Sequence, residues 1–176
     1  MARLGAALAR WHHEMDPDRF MAPEPLEPGY AWWLGKEVVN PRAVVVAAVR
    51  RVRGRDRILG YAYGRLEGRD WNTLRDACGV GVDLVVDEEA RGKGIGRRLV
   101  DAMVARLAEK GAPRVVIDVA AGNRRAQSFF ETIGFRRTMI EMAREVPALL
   151  PARPPRRPPR RRAAARPSRP RRGVGS

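Results

Sequence analysis

The chain has 176 residues and a formal net charge of +15, enough length for one domain with a sizeable core. The charge is unevenly placed: residues 147–176 carry ten arginines and no acids, which leaves 25 basic and 20 acidic residues, or +5, for the remainder. No apolar run approaches the roughly 20 residues of a membrane-spanning helix, and lone Cys78 excludes an internal disulfide and fits a reducing, cytoplasmic setting.

In chain order, Leu4, Ala7, Leu8 and Trp11 recur at helical spacing, and Asp16-Pro17 stops that helix. Its apolar positions are periodic rather than continuous, unlike those of a signal peptide. The proline-spaced APEPLEPG leads into a second helix with Tyr30, Trp33, Leu34 and Val38. AVVVAAVRRV (43–52) reads as a buried strand, GRD (54–56) as a turn, and ILGYAYGRLE (58–67) as the returning strand of a hairpin. GRDWNTLRDACG (68–79) is a polar loop, long for a simple hairpin connection, a length that often goes with function.

VGVDLVV (80–86) is the next strand, with Val82, Leu84 and Val86 on one face and Asp83 and Val85 on the other. After the glycine-rich RGKGIG comes a helix with Ile95, Leu99, Met103 and Leu107 four apart, ending in Lys110-Gly111 with Pro113 beyond. RVVIDVA (114–120) is a strand. Asn123 then caps a helix whose Ala126, Phe129, Phe130 and Ile133 share a face and which Gly134 closes. FRRTMIEMARE (135–145) is the last strand expected. This order describes a mixed α/β layer with a right-handed crossover around residues 80–119.

The expected division is a folded domain over 1–146 and an extended, disordered tail over 147–176, whose arginines and prolines leave almost nothing to bury. Three readings of the tail stay open: a solvated segment without a fixed role, a contact for nucleic acid or an anionic surface through clustered arginines, or the product of a misread frame.

The stretch RGKGIGRRLV (91–100) carries the most specific signal. A helix start leaves four backbone N–H groups without partners and a partial positive charge. Glycines before it turn the chain tightly and leave no Cβ in a ligand's way, which makes an anion site suited to phosphate. Arg91, Lys93, Arg97 and Arg98 add charge. The spacing is neither that of a nucleoside-triphosphate loop nor that of a dinucleotide fingerprint. A flexible strand-to-helix connector is the plain alternative.

Arg91-Gly92-Lys93-Gly94-Ile95-Gly96 resembles the [QR]-x-x-G-x-[GA] signature of the GNAT N-acetyltransferase superfamily, with Arg91, Gly94 and Gly96 on the defining positions. NRRAQSFFETIGF (123–135) is similar to that family's second motif, N-x-x-A-x-x-F-Y-E-x-x-G-F. The resemblance covers roughly residues 43–145. It implies an α/β fold with a central mixed sheet that splays after the strand 80–86, flanked by helices, and acetyl-CoA as cosubstrate wedged in the opening. The implied cofactor contacts are Arg91, Gly92, Lys93, Gly94, Ile95, Gly96 and Arg97 for the pyrophosphate, the backbone of Leu84, Val85 and Val86 for the pantetheine arm, Asn123 for the same arm, and the position of Phe130. The Val86 amide would polarise the thioester carbonyl. The implied activity is acetyl transfer to a primary amine of an unidentified small-molecule or peptide acceptor, by direct attack in a ternary complex, without a metal. A homodimer is compatible with it.

Three places depart from the family pattern or qualify it. Asp83 is the one acid in the strand beside the expected thioester and is the candidate base or amine contact; a solvent-facing residue or an arginine partner is the plain alternative. Phe130 stands where the second motif commonly has tyrosine, so a hydroxyl near the sulfur is missing; a coenzyme A thiol can leave without such help, and Ser128 or water is an open substitute. This motivates a non-catalytic acyl-CoA-binding module as a competing reading, beside a nucleic-acid-binding protein acting through its tail. Similar proteins also open with a strand before the first helix, so a first strand is expected to be missing here. Among weaker candidates, His12-His13 reads as a polar helix end rather than a metal site, Tyr30, Trp32 and Trp33 as core rather than acceptor pocket, Trp71 as an acceptor contact, Asp87, Glu88 and Glu89 as a polar loop, and Cys78 as inert.

Overall fold

Strand chemistry dominates the middle of the chain. The β-branched AVVVAAVRRV forms β1 (Ala43–Val52) and pairs antiparallel with β2 (Arg55–Glu67). The connection between them is Arg53-Gly54, both with positive φ, so the turn sits one residue earlier than the GRD reading. β2 pairs antiparallel with β3 (Cys78–Val86), and β3 pairs parallel with β4 (Val115–Ile117). The sheet order is β1-β2-β3-β4. Helices α1 (Ala2–Met15), α2 (Leu26–Val39), α3 (Ile95–Glu109) and α4 (Arg124–Thr132) complete the mixed α/β layer. This is a computed structural model, and it describes residues 1–146. Met1–Arg137 is one compact unit; a second begins at Thr138 and is described only as far as Val146. The tail expected over 147–176 lies outside the described residues.

The alternation of each strand sorts its side chains into two cores. On one face α3 lays Leu99, Met103 and Leu107 against Val44, Val46 and Ala62. On the other, α1 and α2 bring Leu4 and Leu34 to Ala43, Tyr61, Tyr63 and Val85. Tyr61, Ala62, Tyr63 and Leu107 are completely buried. Burying a side chain of the size of Leu107 contributes about 1.5–3 kcal/mol relative to exposure.

Four expectations change. Cys78 and Gly79 belong to β3 rather than to the preceding loop, because Gly79 pairs with Val115 and Cys78 with Glu67. Val82 does not share the face of Leu84: the β2–β3 register shifts beside it, and it stands 47% exposed. The strand expected over 114–120 is only three residues long, because β3 offers it a partner only at Gly79–Gly81. No strand forms over residues 135–146. A strand needs a partner for its backbone groups, that segment has none in a ladder, and Met139, Ile140 and Met142 are exposed.

One glycine explains how α1 lies so close to the sheet. A Cβ on Gly5 would stand 2.3 Å from the Tyr30 ring and 2.6 Å from the Tyr61 hydroxyl. In an exposed helix, replacing glycine by alanine stabilises by about 0.5–1 kcal/mol. Gly5→Ala should instead destabilise by about 1–3 kcal/mol through overpacking. Gly35→Ala, on α2 with open space around it, should stabilise; chemical denaturation of the two variants checks the opposite signs.

Candidate active site

The site begins where two strands part. β4 accompanies β3 only from Gly79 to Gly81, and β3 runs on alone to Val86 on that side. The Asp87 amide donates to the Leu59 carbonyl of β2. Strand alternation therefore turns the N–H and C=O of Val86 and of Leu84 away from β2, toward the opening, while those of Val85 face β2. The Val86 carbonyl accepts a hydrogen bond from Arg91 Nε at 3.2 Å, which is consistent with that direction. Of the three residues proposed for a strand-like contact, Leu84 and Val86 thus present backbone to the opening, and Val85 contributes its side chain to the core.

At the end of β3 the chain makes a 3₁₀ turn over Glu88–Ala90 and enters the glycine loop. Gly92 (φ 75°) and Gly94 (φ 71°) are left-handed, and a Cβ on either would meet nothing within 4 Å. Conformation rather than crowding requires glycine there, at a cost of about 1–2 kcal/mol for another residue. Gly94 is the N-cap of α3, and no side chain caps it. The first-turn amides of Ile95, Gly96 and Arg97 therefore have no capping acceptor from the protein. The loop's cations are partly tied back: Lys93 Nζ donates to the Glu89 carbonyl, Arg91 approaches Glu88 at 3.8 Å, and Arg97 approaches Asp101 at 3.7 Å. Arg98 faces away, lining a hollow of about 340 Å³ between β1 and α3. Asp87 is an anchor rather than a loop residue. It is buried, accepts from Arg3 at 2.9 Å, lies 3.7 Å from Arg57, and those guanidiniums hold its carboxyl below its ordinary value.

Asp83 is neither solvent-facing nor paired with arginine. It is 9% exposed and accepts a 2.7 Å hydrogen bond from the Tyr61 hydroxyl. Burial pushes its pKa up, only partly opposed by the Tyr61 hydrogen bond and by His12. Tyr61 is pushed far up by burial, and Tyr30 to about 12 for the same reason, helped by the Asp83 charge. Burial lowers His12. Asp83 and Tyr61 are thus bonded beneath α1, and the Asp83 charge also reaches Tyr30 of α2 and His12 of α1 itself.

The second motif builds α4. Asn123 Oδ1 accepts from the Ala126 amide at 3.0 Å, the capping role weighed for it, and Gln127 donates to the carbonyls of Ala120 and Ala121. Phe130 packs edge-on against Phe129 and Phe135, with centroids 5.1 and 5.5 Å away. Phe129 rather than Phe130 reaches the glycine loop, since a Cβ on Gly96 would lie 3.6 Å from its ring. Tyr30 and Trp33 join the core as expected, but Trp32 is 65% exposed with Lys36 over its ring. Trp71 is exposed beside Arg69 and Cys78 is buried. His13 donates from Nδ1 to the Phe20 carbonyl at 2.6 Å. Among the described residues no group of three His, Cys, Asp or Glu side chains could hold a metal ion, and no helix is long and apolar enough to cross a membrane.

Sequence reading missed Tyr61, Phe129, Gly5 and His12 as neighbours of the site. Periodicity gave Tyr61 a face of β2, but only the register puts its hydroxyl diagonally against Asp83.

Residues 6–135 match the model of a family described as the Acetyltransferase (GNAT) family. Mycothiol acetyltransferase of Kocuria rhizophila is 30% identical over 110 residues, 61% of this chain and 34% of that enzyme. N-alpha-acetyltransferase 30 of Schizosaccharomyces pombe is 32% identical over 82 residues, 47% of this chain and 53% of that protein. The chain thus spans a third to a half of these relatives' length. A solved mutant form of the BH1408 protein of Bacillus halodurans superposes with a TM-score of 0.68 at 26% identity, over 82% of this chain and 90% of that one.

The Asp83 environment sets a pH dependence of stability. A carboxyl whose folded pKa is raised contributes its full stability below its ordinary value of 3.8 and loses it as pH rises through the folded value. Asp83→Asn keeps an acceptor for Tyr61 without the charge. Its melting temperature should equal that of the wild type near pH 4 and exceed it by a few °C at pH 8; parallel thermal melts across that range check the widening gap.

Proposed function

The chain belongs to the acetyltransferase (GNAT) family, and from that premise we propose that it transfers an acetyl group from acetyl-CoA to a primary amine by direct attack in a ternary complex. One observation carries the reading: β3 outruns β4 beside an uncapped helix start with two left-handed glycines. The residues present fit the cosubstrate. The Arg91 amide, expected to join the phosphate contacts, is already taken by the Glu88 carbonyl at 3.2 Å; amides over residues 92–97 offer donors to a diphosphate, and Leu84 and Val86 offer strand-like backbone to the amide-rich arm. The Val86 N–H is the donor for the acyl carbonyl. Phe129 borders the start of α3 at Gly96, with Phe130 packed behind it and Asn123 capping the same helix α4. Acetyl-CoA supplies an activated acyl carbon; the protein binds, orients and shields it.

Asp83 is the carboxylate around which the acceptor side is built. Asp83 is itself buried and bonded to the Tyr61 hydroxyl, so the acceptor has to bring much of its own neutral fraction. An α-amino group, with a pKa near 7.7–8.0, is neutral several hundred times more often at pH 7 than a lysine side chain near 10.4. The N-alpha-acetyltransferase relative agrees with that choice. An α-amine is therefore the acceptor class we favour. A cytoplasmic location goes with the same proposal and rests on lone, buried Cys78.

Calorimetry with coenzyme A and acetyl-CoA, followed by thiol release with peptide, amino-acid, lysine-side-chain and aminoglycoside amines, tests the reading. α-Amines should turn over best. Coenzyme A binding without turnover of any amine would install the non-catalytic module that Phe130 motivates, since α4 offers no hydroxyl at that position. Gly94→Ala should weaken coenzyme A by about 5–30-fold through the strained φ, read as a shift in Kd. For the tail outside the described residues, a nucleic-acid contact remains proposed on sequence alone. Removing residues 147–176 should abolish retention on RNA or DNA, and full-length retention should fall steeply with salt.

A further inference from the structure

α1 crosses the opening between β3 and the turn that follows β4. Its first turn is tied to the end of β3 by Arg3, which donates to Asp87 at 2.9 Å. Gly5 rests on the Tyr61 hydroxyl. At its last turn, Met15 meets the turn before α4, where a Cβ on Gly122 would lie 2.9 Å from the Met15 sulfur. His12 is seven residues after Gly5, two turns along the same face of the helix. It therefore lies over the parted strands, between the buried Asp83–Tyr61 pair and the rim at Gly122. Its ring is held against Trp11 at 5.1 Å and Phe20 at 5.0 Å, and it is half-buried rather than enclosed.

We propose that His12 is a catalytic residue, the base that takes the acceptor nitrogen's proton, with Asp83 and Tyr61 behind it. This rests on the acetyltransferase reading above and adds a residue to it. As the acceptor nitrogen commits its lone pair, its N–H becomes acidic. The proton passes to the unprotonated ring nitrogen of His12, giving an imidazolium, and from there to water. The titratable group whose charge reaches His12 is Asp83 on β3, and Asp83 in turn acts on Tyr61 of β2 and Tyr30 of α2. Both phenols stay protonated at neutral pH because burial raises them; the charged imidazole is favoured first by its hydrogen bond to the Leu8 backbone and then by the Asp83 charge. Burial lowers His12 overall, which keeps its ring neutral and ready to accept at pH 7. Asp83, too enclosed to meet an amine directly, acts through His12 as a positioning residue.

The test has an arm that needs no acceptor. In the full chain without cosubstrate, NMR titration of the His12 ring should give a midpoint below 6.5, and Asp83→Asn should lower it further. With an amine that turns over, kcat/KM should show an acid limb at the same midpoint. His12→Asn should lose about 10²-fold or more in rate and lose that limb, with melting temperature as the check on folding. A His12 that titrates at 6.5 and ignores Asp83→Asn overturns the proposal, as does a His12→Asn enzyme with wild-type rate and limb. Failure to bind coenzyme A overturns the acetyltransferase reading and this proposal with it, so the two failures are told apart.

Discussion

The structure turns on a mismatch of strand lengths. β3 has nine residues and β4 three, so the parallel ladder ends at Gly81 and Ile117 and the sheet opens beyond it. Backbone polar groups left inside a fold need partners. Here the donors and acceptors of Leu84 and Val86 face the opening, and an extended, amide-bearing ligand is the natural complement. Everything else at the site is arranged around that gap.

Two elements frame it by different means. The glycine loop frames it with backbone: left-handed Gly92 and Gly94 bring the uncapped start of α3 to the end of β3, and Arg91 before them and Lys93 between them are partly folded back onto β3 and the 3₁₀ turn. α1 frames it with close packing. Gly5 lets the helix settle on Tyr61, Arg3 pins it to Asp87, and Met15 closes on Gly122. The first arrangement suits an anion and the second encloses a carboxylate, so the two ends of the opening differ in electrostatic character. Donor and acceptor substrates of opposite charge would be sorted by that difference.

Burial also gives Asp83 a different meaning from the one its place in the strand suggests. Burial raises the carboxyl's affinity for a proton, while enclosure and the Tyr61 hydroxyl limit what can reach it. The half-buried imidazole on α1 is the meeting point proposed for an acceptor's proton. Phe130, enclosed by Phe129 and Phe135, keeps the hydrophobic shape of α4 without offering a hydroxyl.

Local chemistry made much of this legible. The ten residues of β1 are β-branched and alanine-rich, the four-residue spacing of Ile95, Leu99, Met103 and Leu107 declares a helix, and alternating glycines before that helix declare an anion site, because each property depends on neighbours within one or two turns. Other features depend on partners far along the chain. Whether residues 135–145 form a strand depends on a free ladder edge, and whether Asp83 meets water depends on a helix seventy residues earlier. The Tyr61 hydroxyl reaches Asp83 only in one register of β2 on β3, and His12 lies over the opening only because Gly5 admits close contact. The sequence by itself determined the elements and the anion-binding head of α3; the tertiary structure alone decided which titratable groups are dehydrated together, since desolvation is a property of packing and not of spacing.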